Sequence, residues 1–179
     1  MAGHAGADLD RIAPGRRGPR LSDRLPALGR PDGEALAVIR HLFEGGAAPY
    51  DGRLFCYQQG VFGPLPSTPV PIMIGGNSDA ALRRTARYGD AWQAPPMPPE
   101  VFARRIADLA RLADRTVPAG IRIQWDDGRP AARVAAEVAA YHDAGAAHVA
   151  VHFGGADGYA DRITALAGSV DWDRLVRHW

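Results

Sequence analysis

The segment of the sequence best suited to bind a ligand is the turn Gly75-Gly76-Asn77-Ser78, which follows an apolar run and precedes a helical pattern. A strand that leads directly into a helix leaves several backbone N–H groups without partners at the carboxyl end of a sheet. The helix dipole adds positive potential there, and glycine lets the backbone come close to a ligand. Together these features indicate a phosphate site. The alternative is a glycine turn that serves only the tight packing of the strand against the helix.

Further candidates lie where other predicted strands end, because active-site groups of parallel α/β barrels come from the carboxyl ends of the strands. Trp92 either stacks on a cofactor ring or is a core aromatic residue. His152 either acts on the substrate as a catalytic or proton-transfer group, or is a structural histidine with hydrogen-bonded ring nitrogens. Asp126-Asp127 precedes Gly128, which indicates a turn rather than two acid–base carboxylates.

Three other observations concern residues outside that set. The histidines have no metal-ligand spacing, so the sequence predicts no metal site. Cys56 is the single cysteine and lies in an apolar run, which favours a small core residue over a nucleophile. Asp90 is expected to bond the backbone at the start of a strand.

The elements that position these residues follow from hydrophobic periodicity and from glycine and proline punctuation. Residues 1–30 show neither period and are predicted to be poorly structured, and residues 31–179 form the folded domain. Residues 47–69 make a long connection with one possible extended piece at Arg53–Tyr57. The remaining pattern is one helix followed by four βα units, which predicts a parallel sheet with right-handed crossovers. The predicted elements are helix Glu34–Phe43 capped by Asp32, strand Val70–Ile74, helix Asp79–Tyr88 capped by Ser78, strand Asp90–Ala94, helix Pro98–Asp114, strand Ile121–Trp125, helix Pro130–Ala144, strand Ala147–Phe153 and helix Tyr159–Ala167.

Composition limits the classes of function. The net charge of +1 suggests neither a nucleic-acid nor a membrane partner, and no apolar stretch reaches the roughly 18 residues of a membrane span. The N-terminus has no apolar signal-peptide region, so a cytoplasmic location is expected. The 179 residues are enough for one domain but short of the roughly 250 that a complete (β/α)8 barrel usually needs.

Beyond these patterns, the sequence closely resembles the luciferase-like monooxygenase family, and in particular its deazaflavin-dependent members. The resemblance covers about residues 31–170 and rests on several segments in the family's usual order. These segments are Glu34–Arg40, Asp51-Gly52-Arg53 with Phe55, Pro71–Ser78, Ala80–Arg84, Ala86–Trp92, Tyr141–Ala146 and His148–Val151.

The resemblance implies a (β/α)8 barrel of which this chain holds the fifth to eighth strands. It assigns Gly76, Asn77 and Ser78 to the cofactor phosphate, Gly75 to close approach, and the amides of Ala80-Ala81 to possible extra contacts. The implied cofactor is FMN or the 8-hydroxy-5-deazaflavin coenzyme F420. The implied reaction is hydride transfer, or oxygen activation with FMN, on an organic substrate that the residues do not identify.

Residues 1–30 are too few to supply the family's first four βα units, since each needs roughly 30 residues. A partial, truncated barrel is therefore expected to bind cofactor weakly and to turn over poorly by itself. Open strand edges at Val70–Ile74 and His148–Phe153, with an exposed apolar interior face, predict self-association, as a homodimer for example. The alternative function is a non-catalytic half-barrel that binds a phosphorylated ligand and acts through self-association or a partner chain.

Overall fold

Strands and helices alternate along most of the chain, as the sequence pattern predicts. The computed structural model describes residues 33–45, 48–58, 62–126, 128–154 and 157–175, so the prediction for residues 1–30 lies outside the described residues. The elements are α1 Glu34–Phe43, β1 Tyr50–Asp51, β2 Cys56–Tyr57, β3 Met73–Gly75, α2 Asp79–Tyr88, β4 Ala91–Ala94, α3 Pro99–Leu112, β5 Ala119–Gln124, α4 Ala131–Asp143, β6 His148–His152, α5 Tyr159–Ser169 and α6 Trp172–Leu175.

The main sheet contains four parallel strands in the order β3-β4-β5-β6. Each strand pairs with the next one along the chain, and a helix makes each crossover. One row across the sheet aligns Gly75, Gln93, Gly120 and His148. The predicted α/β class with four consecutive βα units is confirmed, and β3 and β6 are the edge strands of this sheet.

The core lies between the sheet and its helices. Trp92 stacks on Phe102 with ring centroids 5.7 Å apart, and the Tyr141 ring meets Phe102 edge-on at 5.9 Å. Ile121 and Ile123 point to the same side of β5 and are fully buried. Because alternate residues of a strand point to opposite faces, this apolar side is one face of the sheet.

The opposite face of the sheet is open, and it is polar. Its side chains lie at alternate positions along the strands and are exposed or half-buried. These residues are Met73, Ala91, Gln93, Arg122, Gln124, His148, Ala150 and His152. The expectation of an exposed apolar interior face is therefore wrong, because the β-branched and aromatic residues of the strands point almost entirely toward the helices.

Several predicted boundaries and environments also differ from those observed. Strand β3 begins at Met73 rather than Val70, since Pro69 and Pro71 lack the N–H groups needed for strand pairing. The cap of α1 is Gly33, in a left-handed conformation with φ 64°, and Asp32 lies outside the described residues. Cys56 was expected in the core but is exposed, because it lies in a two-stranded hairpin with one solvent-facing side.

Asp90 connects α1 to the first strand of the sheet. Its carboxylate accepts hydrogen bonds from the Ile72 N–H at 2.7 Å and from Arg40 at 2.5 Å, and Arg40 also bonds the Tyr88 carbonyl. Burial opposes ionisation of Asp90, but the Ile72 bond and the Arg40 partner outweigh it, so the pKa of this carboxyl is lowered. The predicted structural role of Asp90 at the strand start is confirmed.

Candidate functional site

The turn between β3 and α2 has a conformation that depends on glycine. Gly76 has φ +116°, which side chains rarely adopt, and an added Cβ would lie 3.2 Å from the Ala81 Cβ. The backbone therefore turns sharply from the strand into the first turn of α2. This places the turn at the carboxyl end of the sheet, the side predicted from the sequence to hold ligands.

Strand β4 fixes both backbone groups of Gly76. The Gly76 N–H donates to the Gln93 carbonyl at 3.3 Å, and the Trp92 indole N–H donates to the Gly76 carbonyl at 2.8 Å. The Trp92 side chain is 0% exposed, so it offers no free face on which a cofactor ring could stack. Of the two alternatives for Trp92, the structure shows a core aromatic residue that also holds the turn in place.

The turn leaves several backbone donors free. Ser78 is the N-cap of α2, and its Oγ accepts the Ala81 N–H at 3.1 Å, as the predicted cap requires. That bond occupies the Ala81 amide, which the family resemblance had offered as a ligand contact. Within the described part of the chain, four consecutive N–H groups have no acceptor. They belong to Asn77, Ser78, Asp79 and Ala80.

A side chain from α3 also holds the turn. Arg105 donates to the Asn77 carbonyl at 2.8 Å, to the Asp79 carboxylate at 3.0 Å and to Asp108 at 3.0 Å. Its side chain is only 18% exposed. Sequence reasoning missed Arg105 because it lies 28 residues from Asn77 and no local motif marks it.

Electrostatics at the turn depend mainly on the backbone. The Arg105 charge is offset by Asp79 and Asp108, so it adds little net positive potential. The free N–H groups and the N-terminal end of the α2 dipole remain as the anion-attracting features. The arrangement can bind a phosphate group without a dedicated cationic side chain.

His152 and Asp126 lie away from the turn. His152 is exposed at the end of β6, which two strands separate from β3, and its Nδ1 accepts the Gly154 N–H at 3.3 Å. The structure therefore does not bring His152 into contact with the turn. The Asp126 carbonyl accepts the Arg129 N–H at 3.3 Å, which is consistent with the predicted turn, and Asp127 lies outside the described residues.

A second polar group lies on the open face beside the turn, and the sequence did not indicate it. The His148 Nε2 and the Gln93 Oε1 are 2.7 Å apart, although the two residues lie on strands separated by β5. Gly120 lies between them in the register, and a Cβ there would be 1.9 Å from His148 Nε2. The side-chain contact across the sheet thus requires glycine at position 120.

The described residues contain neither a candidate metal site nor a candidate membrane-spanning helix. No group of three or more His, Cys, Asp or Glu side chains is placed to hold a metal ion in the described ranges. Within those same ranges, every helix is too short or too polar to cross a bilayer.

Comparisons with known proteins identify the family of the chain. A sequence model of the luciferase-like monooxygenase family matches residues 30–178. Uncharacterized proteins of Mycobacterium bovis and Mycobacterium tuberculosis are 35% identical over 98 residues, which make up 53% of this chain and 34% of theirs. The chain thus aligns with about a third of the length of these relatives.

Among solved structures, an F420-dependent secondary alcohol dehydrogenase, in complex with an F420–acetone adduct, has a similar fold. The TM-score is 0.65 at 14% sequence identity, over 80% of this chain and 61% of the dehydrogenase. At that identity the likeness concerns the fold, and it agrees with a partial barrel. Taken with the family match over residues 30–178, the βα order and the Gly75–Ser78 turn lead to one conclusion: the chain belongs to the luciferase-like monooxygenase family.

Proposed function

We propose that the Gly75–Ser78 turn binds the phosphate of FMN or of coenzyme F420, and that the chain takes part in hydride transfer to or from a small organic substrate. The observation that carries the proposal is the run of four free N–H groups at the start of α2, on a turn fixed to β4. Family membership supports a redox cofactor, and the structural neighbour uses F420.

The residues of the turn fit a phosphate group. Gly76 leaves space that a Cβ would fill, and the free amides point from the first turn of the helix. The Ser78 Oγ accepts from the Ala81 N–H, so its own hydroxyl hydrogen is available to donate to a phosphate oxygen. When bound, the cofactor supplies the ring that accepts or releases hydride. The free amides and the Ser78 hydroxyl of the turn hold the phosphate end of that cofactor.

A second candidate function is that of a non-catalytic half-barrel. It would bind a phosphorylated ligand without turnover and would act by self-association, as a homodimer for example. It is favoured by the two edge strands, β3 and β6, which have no further strand beside them among the described residues. Sedimentation with and without FMN tests self-association, and F420-dependent or FMN-dependent turnover of the purified chain separates the two functions.

The phosphate contact is tested by substitution at Ser78, with FMN binding followed by fluorescence quenching. Ser78→Thr keeps the hydroxyl and should bind FMN like the native chain. Ser78→Ala should weaken binding by about fivefold, the value of one hydrogen bond of roughly 1 kcal/mol. Ser78→Asp keeps a good helix cap but puts a negative charge beside the phosphate, so affinity should fall by about tenfold more.

The matched control is Ser169→Ala, a serine near the end of α5 whose Oγ donates to the Ala165 carbonyl. It should leave FMN affinity unchanged. Equal FMN affinity in the native chain and in Ser78→Asp, both folded by circular dichroism, would show that the phosphate does not bind at this turn. The same titration with F420 decides between the two cofactors.

A further inference from the structure

The Gln93–His148 pair lies on the open face of the sheet, next to the phosphate turn. Gln93 is the register partner of Gly75 on one side and of Gly120 on the other. Its backbone carbonyl accepts the Gly76 N–H, so the Gln93 side chain begins directly beside the turn. From there it reaches His148 on β6 at 2.7 Å.

Two glycines in the same row of the sheet leave backbone exposed next to the pair. Gly75 presents no side chain, and the nearest atom to a Cβ there would be the Gln93 carbonyl oxygen at 3.9 Å. Gly120 presents none either, and the His148 ring covers it. A ligand that extends from the turn along the open face therefore meets Gly75 first and then the Gln93–His148 pair.

The hydrogen-bonding capacity of the pair is incompletely used. A carbonyl oxygen only accepts, so His148 Nε2 donates to Gln93 Oε1, and His148 Nδ1 is then an acceptor. The Gln93 Nε2 is buried and has no acceptor among the described residues. An unpaired buried donor is destabilising, which makes a bound partner favourable. The pair thus leaves one donor and one acceptor unused, and the hydroxyl groups of a ligand can both accept and donate.

We propose that Gln93 and His148 form a subsite for the hydroxyl-bearing chain of a phosphate ester whose phosphate binds at the Gly75–Ser78 turn. The ligand class is a polyol monophosphate, the chemistry of the linker between ring and phosphate in FMN. This inference rests on the proposed function, because the turn fixes the phosphate from which the chain extends.

Two simple ligands of equal chain length distinguish the contribution of the phosphate to affinity from that of the hydroxyl groups. D-ribitol 5-phosphate carries both, and n-pentyl phosphate carries the phosphate alone. By isothermal titration calorimetry, the native chain should bind the ribitol ester about tenfold more tightly, as expected for two modest hydrogen bonds. In Gln93→Leu and in His148→Phe that preference should fall close to one, while affinity for pentyl phosphate stays the same.

Gln124→Leu is the matched control, because Gln124 lies on β5 and its amide is on the same open face of the sheet as the Gln93–His148 pair. It should keep the native preference for the ribitol ester. Unchanged binding of pentyl phosphate by the Gln93 and His148 variants shows that they are folded and that the turn is intact.

The possible results distinguish a failure of the hydroxyl subsite from a failure of the phosphate site. Equal affinity of the native chain for both esters, or a preference that survives in Gln93→Leu and His148→Phe, overturns the hydroxyl subsite and leaves the phosphate site standing. Failure of the native chain to bind either ester overturns the phosphate site, and the hydroxyl subsite with it.

Discussion

Two of the glycine-containing turns that join a strand to a helix differ in the number of hydrogen bonds that hold them in place. At the first turn, Gly75–Ser78, a serine caps α2 and β4 fixes Gly76 from both sides. At the second, between β6 and α5, the cap is Gly158 in a left-handed conformation, with no side-chain hydrogen bond. Helix α2 buries Ala81, Leu82 and Thr85, whereas α5 buries only Leu166.

From this difference we expect an anion site at the first turn and not at the second, although both contain glycine. The first turn combines free amides with bonds to its neighbours that hold them in fixed directions. The described side-chain hydrogen bonds of the second turn are those of the Gly154 N–H to His152 Nδ1 and of Arg162 to the Asp157 carbonyl, and both partners belong to the strand or helix that the turn itself joins. Rigid placement of donors, rather than glycine content, is what makes an anion-binding turn.

The largest effect is expected from Gly76→Ala. The φ of +116° lies outside the region that alanine tolerates, and the new Cβ would press on Ala81 at 3.2 Å. We expect a loss of about 2–3 kcal/mol in the free energy of unfolding, measured by urea denaturation. FMN binding should fall below detection, because the free amides would move with the turn.

The second turn supplies the control, Gly154→Ala. Gly154 has φ +76°, and a Cβ there would only touch the Trp125 carbonyl oxygen at 3.6 Å. The loss of stability should be about 1 kcal/mol, with FMN affinity unchanged. Equal effects of the two substitutions on FMN binding would remove the distinction between the turns.

A smaller effect is expected from Trp92→Phe, which removes the indole N–H that holds the Gly76 carbonyl. The lost bond and the lost buried volume should together lower stability by about 2 kcal/mol and FMN affinity by about tenfold. Trp125→Phe is the matched control, since the Trp125 indole bonds the Arg129 carbonyl after β5. It should reduce stability comparably without changing FMN affinity.

The contrast between local and long-range contacts explains how much of the fold and of the candidate site could be predicted from the sequence. Helix α2 and its Ser78 cap follow from neighbouring residues, and both were predicted with the observed bounds. The parallel sheet followed from the βα alternation, because each unit repeats the same local signals. The Arg105 contact with Asn77 depends on how α3 packs beside α2, which local sequence does not encode.

The open face of the sheet also contains a contact that local sequence does not reveal. Gln93 and His148 meet only because Gly120 lies between them in the register. Register is a property of three strands together, so no single segment reveals the pair. The polar character of the face was visible in the alternation of β5, where Arg122 and Gln124 interrupt the isoleucines.

Arg105→Met should have a moderate effect, because it removes the donor to the Asn77 carbonyl and keeps the aliphatic stem. We expect a loss of about 1 kcal/mol in stability and a threefold to fivefold weakening of FMN binding, roughly one hydrogen bond. Arg111→Met on the same helix removes a cation whose partner among the described residues is Asp108, and it should change neither value. A weakening of FMN binding in Arg111→Met equal to that in Arg105→Met would show that α3 acts through charge alone.

The smallest effect, and the only gain, is expected from Asp79→Asn. The Asp79 carboxylate lies in the first turn of α2, where its interaction with the helix dipole stabilises the helix. The same negative charge repels a phosphate at the free amides. FMN affinity should rise by about twofold to threefold at low salt and by less at high salt, at a cost of a few tenths of a kcal/mol in stability. Asp161→Asn makes the same change in the first turn of α5, so it should cost similar stability and leave FMN affinity unchanged. A gain at Asp79 alone would place the bound anion at the first turn, because only a nearby carboxylate opposes it measurably.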